Sequence, residues 1–507
     1  MINKQNISLA TLGVIASLLF LLFGASIFIT SRVENKIEEL LADKATYEEI
    51  EVNLWLGQII IKDLAFRDGE GHLYTNKMVI QGFEYLDYFF NDRIIVDDLT
   101  LKNPEISLNQ NQSKTSFFSG QTKRFSQEIL IRNFKASSGT LKIPQGTGTN
   151  IKNKLFVSFP EIIIREVRID STTVNKPIPF AFSSYKISAD SLRLHMNPEH
   201  FITANEVRWD SSTLRMMDFR IIPYYTKLEF DQNVDHEMDR IALSVDSIKL
   251  KNPDLAFLHD SLYLKSPLMT IGNVDLQIYR NRLLPDTAYK KPLYNELIRT
   301  LPIKIDLEKI SISDSRVVYE EKLKRAADPA KIGFYGIGGE IENLTNINLD
   351  RRDFPKTTIQ LNASFEKVVP VKIFMSFDIS NTADEFLFKG DVGTVPAEAL
   401  NEFLRPAMNV KATGKLQSVS FTFSGDPNSA IGDVKVKYNQ FKVQLLKENG
   451  EKKDVISAIA NLFIDNDGLS EDAVQENIRV FRDPTKSFWS FVWSALRKGL
   501  RQGLSQI

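Results

Sequence analysis

A short element recurs along this chain and restricts it to a β architecture: an apolar residue, two polar ones, an apolar residue, any residue, an apolar residue, a turn, then apolar again. Val96-Asp97-Asp98-Leu99-Thr100-Leu101-Lys102-Asn103-Pro104-Glu105-Ile106 returns as Val245-Asp246-Ser247-Ile248-Lys249-Leu250-Lys251-Asn252-Pro253-Asp254-Leu255. A second close pair is EVRIDSTTV, from Glu166 to Val174, and EVRWDSSTL, from Glu206 to Leu214. Looser copies begin at Ile61, Ile131, Leu307 and Leu416. The first six elements start at positions 61, 96, 131, 164, 204 and 245, at intervals of 35, 35, 33, 40 and 41 residues. Apolar residues at every second position, such as Leu99/Leu101 and Ile248/Leu250, line one face of a strand. Asn-Pro suits a turn or a sheet edge, because proline donates no ladder hydrogen bond and keeps the residue before it out of the helical region.

Few stretches read as helix. Ser31–Tyr47 has Ile37, Leu40 and Leu41 on one side, and Pro396–Leu404 and Ile456–Phe463 read as short helices. Asn109–Gln127, Pro144–Lys154 and Arg325–Gly333 are polar, turn-rich loops, and the last of these is the expected boundary between two β regions.

Ahead of the first element, Ile7 to Ile29 holds 23 residues without a charge. As a helix these would span roughly 35 Å, enough to cross a ~30 Å hydrocarbon core. The run is longer than the apolar part of a cleaved signal peptide and lacks a clear small-x-small site, so a retained anchor is expected. Lys4 precedes the run, and Arg32, Lys36 and Lys44 follow it, so the positive-inside count does not favour an N-terminus-in orientation. Export of the bulk of the chain is preferred because nothing after residue 31 carries a cytosolic or catalytic motif.

The other end differs in kind. In SFWSFVWSALRKGLRQGLSQI, helical spacing places Trp489, Val492, Trp493, Leu496, Leu500, Leu504 and Ile507 together. Lys498 and Arg501 lie opposite, Arg497 flanks them, and no acidic residue follows Asp483. This is the composition of a helix at a membrane interface, with Trp489, Val492, Trp493, Leu496, Arg497, Lys498, Leu500 and Arg501 as contact residues. The alternative is a helix that packs back onto the sheet or plugs its end.

Composition narrows the function classes. With 63 Lys and Arg against 64 Asp and Glu, the net charge is −1, which argues against nucleic acid as a partner. The absence of cysteine removes thiolate metal sites, disulfides and cysteine nucleophiles. His72, His195, His200, His236 and His259 show no metal-ligand spacing, and there is no G-x-S-x-G elbow or Walker loop. Gly333-Phe-Tyr-Gly336-Ile-Gly338-Gly339 lacks the context of a phosphate loop and reads as a flexible turn. No catalytic, cofactor or metal residue is therefore nominated, and the chain is expected not to be an enzyme.

Taken together, these features resemble the AsmA-like family of envelope proteins, related to TamB-type and bridge-like lipid-transfer proteins, in its Bacteroidota form. The resemblance rests on the anchor, on Val52-Asn53-Leu54-Trp55-Leu56-Gly57 leading into Ile59-Ile60-Ile61-Lys62-Asp63-Leu64-Ala65-Phe66-Arg67-Asp68, and on the repeated strand element. It also rests on Pro396–Pro406, on Gly414–Gly425 and on the aromatic, basic tail. It implies a mainly β fold: a long twisted sheet forming a groove or partial tube, with a transmembrane helix and a few short helices. The organisation expected is an anchor at 1–31, a juxtamembrane helix at 32–47, β regions at 48–325 and 334–483, and the tail at 484–507. The resemblance further implies an inner-membrane protein, with its bulk in the periplasm, that moves phospholipid or another acyl lipid between membranes or supports the outer membrane. Outer-membrane or other envelope proteins are possible partners. Leu99, Leu101, Ile248 and Leu250 are the candidate groove-lining residues. About 20–25 strands would stack to roughly 100–120 Å, short for the family, so partners or a shuttle role are open. The competing expectation is a non-catalytic assembly scaffold whose inner face is filled by its own side chains.

Overall fold

The computed structural model describes residues 45–53, 55–68, 71–108, 128–145, 152–173, 180–258, 261–286, 289–325, 328–446 and 471–505. The expected membrane span, residues 32–44 of the helix expected after it, the loop at 109–127 and the helix expected at 456–463 lie outside the described residues. The described residues form 24 strands and five helices, and the chain divides into two compact units. The first runs to His195 and includes Glu206–Ser211; the second takes Met196–Asn205 and everything from Ser212.

In the first unit the elements are β1 (Ala45–Thr46), β2 (Glu49–Asn53), β3 (Gln58–Asp68), β4 (Gly71–Gln81), α1 (Tyr85–Asn91), β5 (Arg93–Lys102), β6 (Glu105–Leu108), β7 (Glu128–Gln145), β8 (Lys152–Ile169) and β9 (Ser184–Asn197). Residues 45 and 46, expected as helix, pair instead with Phe66 and Ala65. Neighbours pair antiparallel, except that β5 and β6 run parallel to β7. β5 and β6 are one strand interrupted at Asn103-Pro104, since both lie along β4 and β7.

β10 (His200–Asp210) is divided between the units at Asn205/Glu206, and in the second unit come β11 (Thr213–Pro223), α2 (Lys227–Asn233), β12 (Asp239–Lys251), β13 (Asp254–Leu258), β14 (Ser261–Ser266), β15 (Leu268–Asn281), α3 (Tyr294–Arg299) and β16 (Lys304–Lys322). They are followed by β17 (Ala330–Thr345), β18 (Thr357–Phe365), β19 (Val369–Phe377), β20 (Phe386–Val392), β21 (Val395–Pro396), α4 (Ala397–Met408), β22 (Val410–Gly425), β23 (Ser429–Leu445), β24 (Glu471–Phe481) and α5 (Phe488–Ser505). The tract 325–333, expected as a division of the chain, joins β16 and β17, which pair from Asp306↔Thr345 to Glu321↔Ala330. The run Gly333–Gly339, expected as a turn, lies inside β17. A Cβ on Gly339 would sit 2.0 Å from the carbonyl oxygen of Gln360 on β18, so glycine there permits strand-to-strand approach.

The repeated element has a backbone explanation. Its two polar residues lie at or opposite a strand residue in left-handed conformation. Asp63 (φ 47°), Glu166 (φ 53°) and Glu206 (φ 47°) occupy the second polar position themselves. Arg132 lies opposite Glu166, Asp246 lies between Asp218 (φ 49°) and Asn273 (φ 54°), and Glu308 lies opposite Asn343 (φ 57°). In the last copy, Leu416 and Ser418 bracket a register shift. A left-handed residue inside a strand re-aims the side chains that follow, as a bulge does. The apolar positions therefore skip by three, as from Val245 to Ile248, and stay on one face. The polar residues answer one another across strands: Asn273 Nδ2 donates to Asp246 at 2.9 Å, and Arg132 pairs with both Asp97 and Glu84.

Candidate functional site

Strand register assembles a face that no single strand shows. In the first unit, Ile61, Met78, Leu101, Ala136, Ile162 and Ile187 stand opposite one another on six successive strands, β3 to β9. A second row is Ile59, Ile80, Leu99, Phe134, Ile164 and Tyr185. A third is Phe66, Leu73, Ile106, Leu141, Val157 and Leu192. The alternate rows belong to the other face, where Lys62, Lys77, Lys102, Ser137, Glu161 and Ser188 stand together. Ion pairs such as Lys135–Glu161 at 3.2 Å and Lys186–Glu161 at 3.3 Å hold that face in water.

The apolar rows are only partly covered. Ile59, Ile61, Leu101 and Ala136 are buried, whereas Ile80, Leu99, Phe134, Ile164, Ile187 and the whole third row keep partial access to solvent. Among the described residues of this unit the only helix is the seven-residue α1. Full burial of such side chains is worth about 1.5–3 kcal/mol each, so the face leaves part of that stabilisation unrealised.

The second unit continues the same pattern within itself and then covers it. Leu214, Leu250, Met269, Ile310, Ile341, Ile359, Met375, Phe388 and Phe423 form one row across nine strands, with Met216, Ile248, Ile271 and Ile312 in the next. Leu214, Met216 and Ile271 are half-buried, while Met375, Phe388 and Phe423 lie inside the main core. That core is closed by α3, α4 and α5, through Tyr294 and Ile298, Leu400 and Leu404, and Phe488, Phe491, Val492 and Ala495. All four candidate groove residues fall on these apolar faces: Leu99 is half-buried, and Leu101, Ile248 and Leu250 are buried within side-chain clusters.

The tail is a helix that packs back onto the sheet, and its inward stripe overlaps the one helical spacing suggested at Val492, Leu496 and Leu500 but is offset from it. Phe488, Phe491, Val492 and Ala495 face the core, and Gly499 lies against Val434 and Ile478. Phe488 meets Phe386 and Phe388 edge-on at 5.3 and 5.7 Å. Of the nominated residues, Val492, Leu496 and Leu500 pack onto the sheet, Trp489 and Trp493 remain 55% and 45% exposed, and Arg497 and Lys498 are exposed. Lys498 Nζ donates to the carbonyl of Arg479 at 2.7 Å. The side chain of Arg501, like Leu504 and Ile507, lies outside the described side chains. The strand-to-strand crossover carrying α3 pins the tail: Lys291 N donates to Pro484 O at 2.8 Å, and Lys486 pairs with Asp286.

Among the described residues of the second unit, one polar cluster is built of mutually paired groups. Arg280 donates twice to Asp239 at 2.7 Å, Arg282 reaches Glu237 at 2.8 Å, and Tyr279 and Lys322 share Asp231 at 2.9 and 3.0 Å. Among the described residues, no group of three or more His, Asp or Glu is arranged to hold a metal ion. No helix among them is long and apolar enough to cross a membrane. No protein-family model matches the chain, and no curated protein matches it. Sequence reasoning did not find α1, α2 or α3, whose six or seven residues fall below a recognisable helical period.

Proposed function

We propose that this chain is a membrane-anchored envelope protein whose apolar sheet face lines a groove for the acyl chains of phospholipid or a related lipid. Its role is to carry that lipid between membranes or to support the outer membrane. The observation that carries the reading is the set of three aligned rows in the first unit. Each is apolar on six strands, only partly buried, and backed by a charged face. A soluble sheet normally covers such a face, and an uncovered one marks a ligand or partner surface. The resemblance to AsmA-like proteins supports the same reading, as does the uncharged run at Ile7–Ile29. The scaffold alternative draws on the second unit, where helices fill the face around Phe388 and Phe423.

The test is photocrosslinking in a Gram-negative host that expresses the full chain. A benzophenone amino acid at Ile187 or Leu192 should capture lipid, and the same probe at Lys186 or Arg193, on the opposite face, should not. Equal capture from both faces, or from neither, would sink the groove reading and favour the scaffold.

A further inference from the structure

Among the described residues of the first unit, the most exposed large apolar side chains gather at one end of its sheet, just beyond the Ile59–Ile80 row. Trp55 and Leu56 are each 67% exposed, Leu86 is 72% and Phe90 is 80%. Leaving four such residues in water has no stabilising purpose. Two devices hold them out. In the turn between β2 and β3, Leu56 N donates to Asn53 Oδ1 at 3.2 Å, and Gly57 takes a φ of 57°. In α1, Tyr85 packs inward against Phe83 at 4.9 Å between ring centres, so Leu86 and Phe90, one turn apart, point outward together. The two are joined, because Phe83 N donates to Gly57 O at 3.1 Å.

We infer that this tip is a docking surface that seats in the interfacial layer of a lipid bilayer, a reading that rests on the membrane anchorage proposed above. Reach supports it. Residues 30–44, between the uncharged run and β1, can span up to about 50 Å, and the eleven-residue β3 is only about 37 Å long. With that segment extended rather than helical, either end of the sheet is within range of the bilayer that holds the anchor. Residue type supports it too, since Trp, Leu and Phe on a turn and a short helix suit the boundary between headgroups and acyl chains. Charge sets the mode. Arg93 is engaged by Glu128 at 3.1 Å and Asp87 at 3.9 Å, and Arg132 by Glu84 at 2.8 Å. The arginines described beside the tip are thus engaged by carboxylates, so docking proceeds chiefly by apolar burial.

The chain contains no cysteine, so single-site labelling of the full-length protein is direct. Leu56→Cys, Phe90→Cys and the control Lys186→Cys would each carry an NBD fluorophore, in phosphatidylcholine vesicles with or without doxyl-labelled lipid. At positions 56 and 90 the emission should shift blue by roughly 10–20 nm and lose about half its intensity to doxyl lipid, with no change at 186. Adding phosphatidylglycerol or salt should leave both effects in place. If the protein floats with vesicles but the probes stay unquenched, docking is overturned while anchorage stands. Probes shielded from an aqueous quencher yet untouched by doxyl lipid would assign the tip to a second copy or a protein partner, against the proposal. Failure to float at all would overturn anchorage and docking together.

Discussion

Thr75 Oγ1 donates a 2.7 Å hydrogen bond to the carbonyl of Lys102, the residue just before the left-handed Asn103. Ser266 makes the equivalent bond, also 2.7 Å, to Lys251, just before the left-handed Asn252. Thr75 and Ser266 are fully buried, so both of these copies break their ladder at Asn-Pro and satisfy the freed carbonyl from a neighbouring strand. Thr75→Val should therefore lower stability by about 1–3 kcal/mol, while Thr75→Ser should stay close to the parent. Urea unfolding followed by circular dichroism would show it, and a neutral Thr75→Val would mean that water serves the carbonyl equally well.

His200 gives the second unit a defined pH response. It is 3% exposed, its Nε2 accepts from Ile241 N–H at 3.0 Å, and its Nδ1 lies 3.1 Å from Asn197 Oδ1. Burial pushes the imidazole below its ordinary 6.5, and Arg240 pushes the same way against Glu199. Because the folded pKa is depressed, the unfolded chain takes up the proton first. Stability is fully present above 6.5 and falls as the pH drops below it. Melting temperature should decline between about pH 7 and 5.5 and do so less in His200→Gln. An identical slope in that variant would place the titration elsewhere.

The repeat showed in the sequence because the skip from Val245 to Ile248 is a physical constraint: two polar residues are needed where the backbone re-aims. What did not show was where the left-handed residue sits. Glu166 and Glu206 carry it within their own element, but Val96-Asp97-Asp98 relies on Gly82 and Ile131-Arg132-Asn133 on Glu166 of the facing strand. That information lies in pairing, which a single strand does not encode. The rows around Leu99 and Leu101 were legible as alternation; their run across six strands needed the register. The tail's helix was legible, but its exact inward stripe was not, because Phe488, Trp489, Phe491, Val492 and Trp493 spread apolar surface widely around its first turns. Its true inward stripe passes through Ala495 and Gly499, small residues that carry little hydrophobic signal but allow close approach to a sheet.

Gly499 puts that approach to a quantitative test. On propensity alone, Gly499→Ala should stabilise a helix by about 1 kcal/mol. A Cβ there would lie 2.5 Å from Val434 Cγ2 and 2.7 Å from Ile478 Cδ1, both in a packed core. Overpacking costs about 1–3 kcal/mol, so the net effect should be destabilising or at best neutral. A thermal midpoint clearly above that of the parent would show that α5 does not sit on β23 and β24 as described.

Stability and lipid capture should separate along the apolar rows. Leu250 is buried at 2% exposure, in contact with the side chains of its own cluster, so Leu250→Ala should cost about 2–5 kcal/mol. Ile187 and Leu192 keep access to solvent, and removing part of a half-exposed side chain forfeits less transfer energy and opens no sealed cavity. Ile187→Ser and Leu192→Ser should each cost only about 1 kcal/mol. If the rows serve lipid, these mild substitutions should reduce lipid captured by a benzophenone at neighbouring Ile162 while the melting temperature scarcely moves. The scaffold reading expects the reverse order, with capture absent throughout and stability tracking every apolar position alike. Measuring melting temperature and crosslinked lipid on the same preparations separates the two, because only a ligand-facing row can lose one and keep the other.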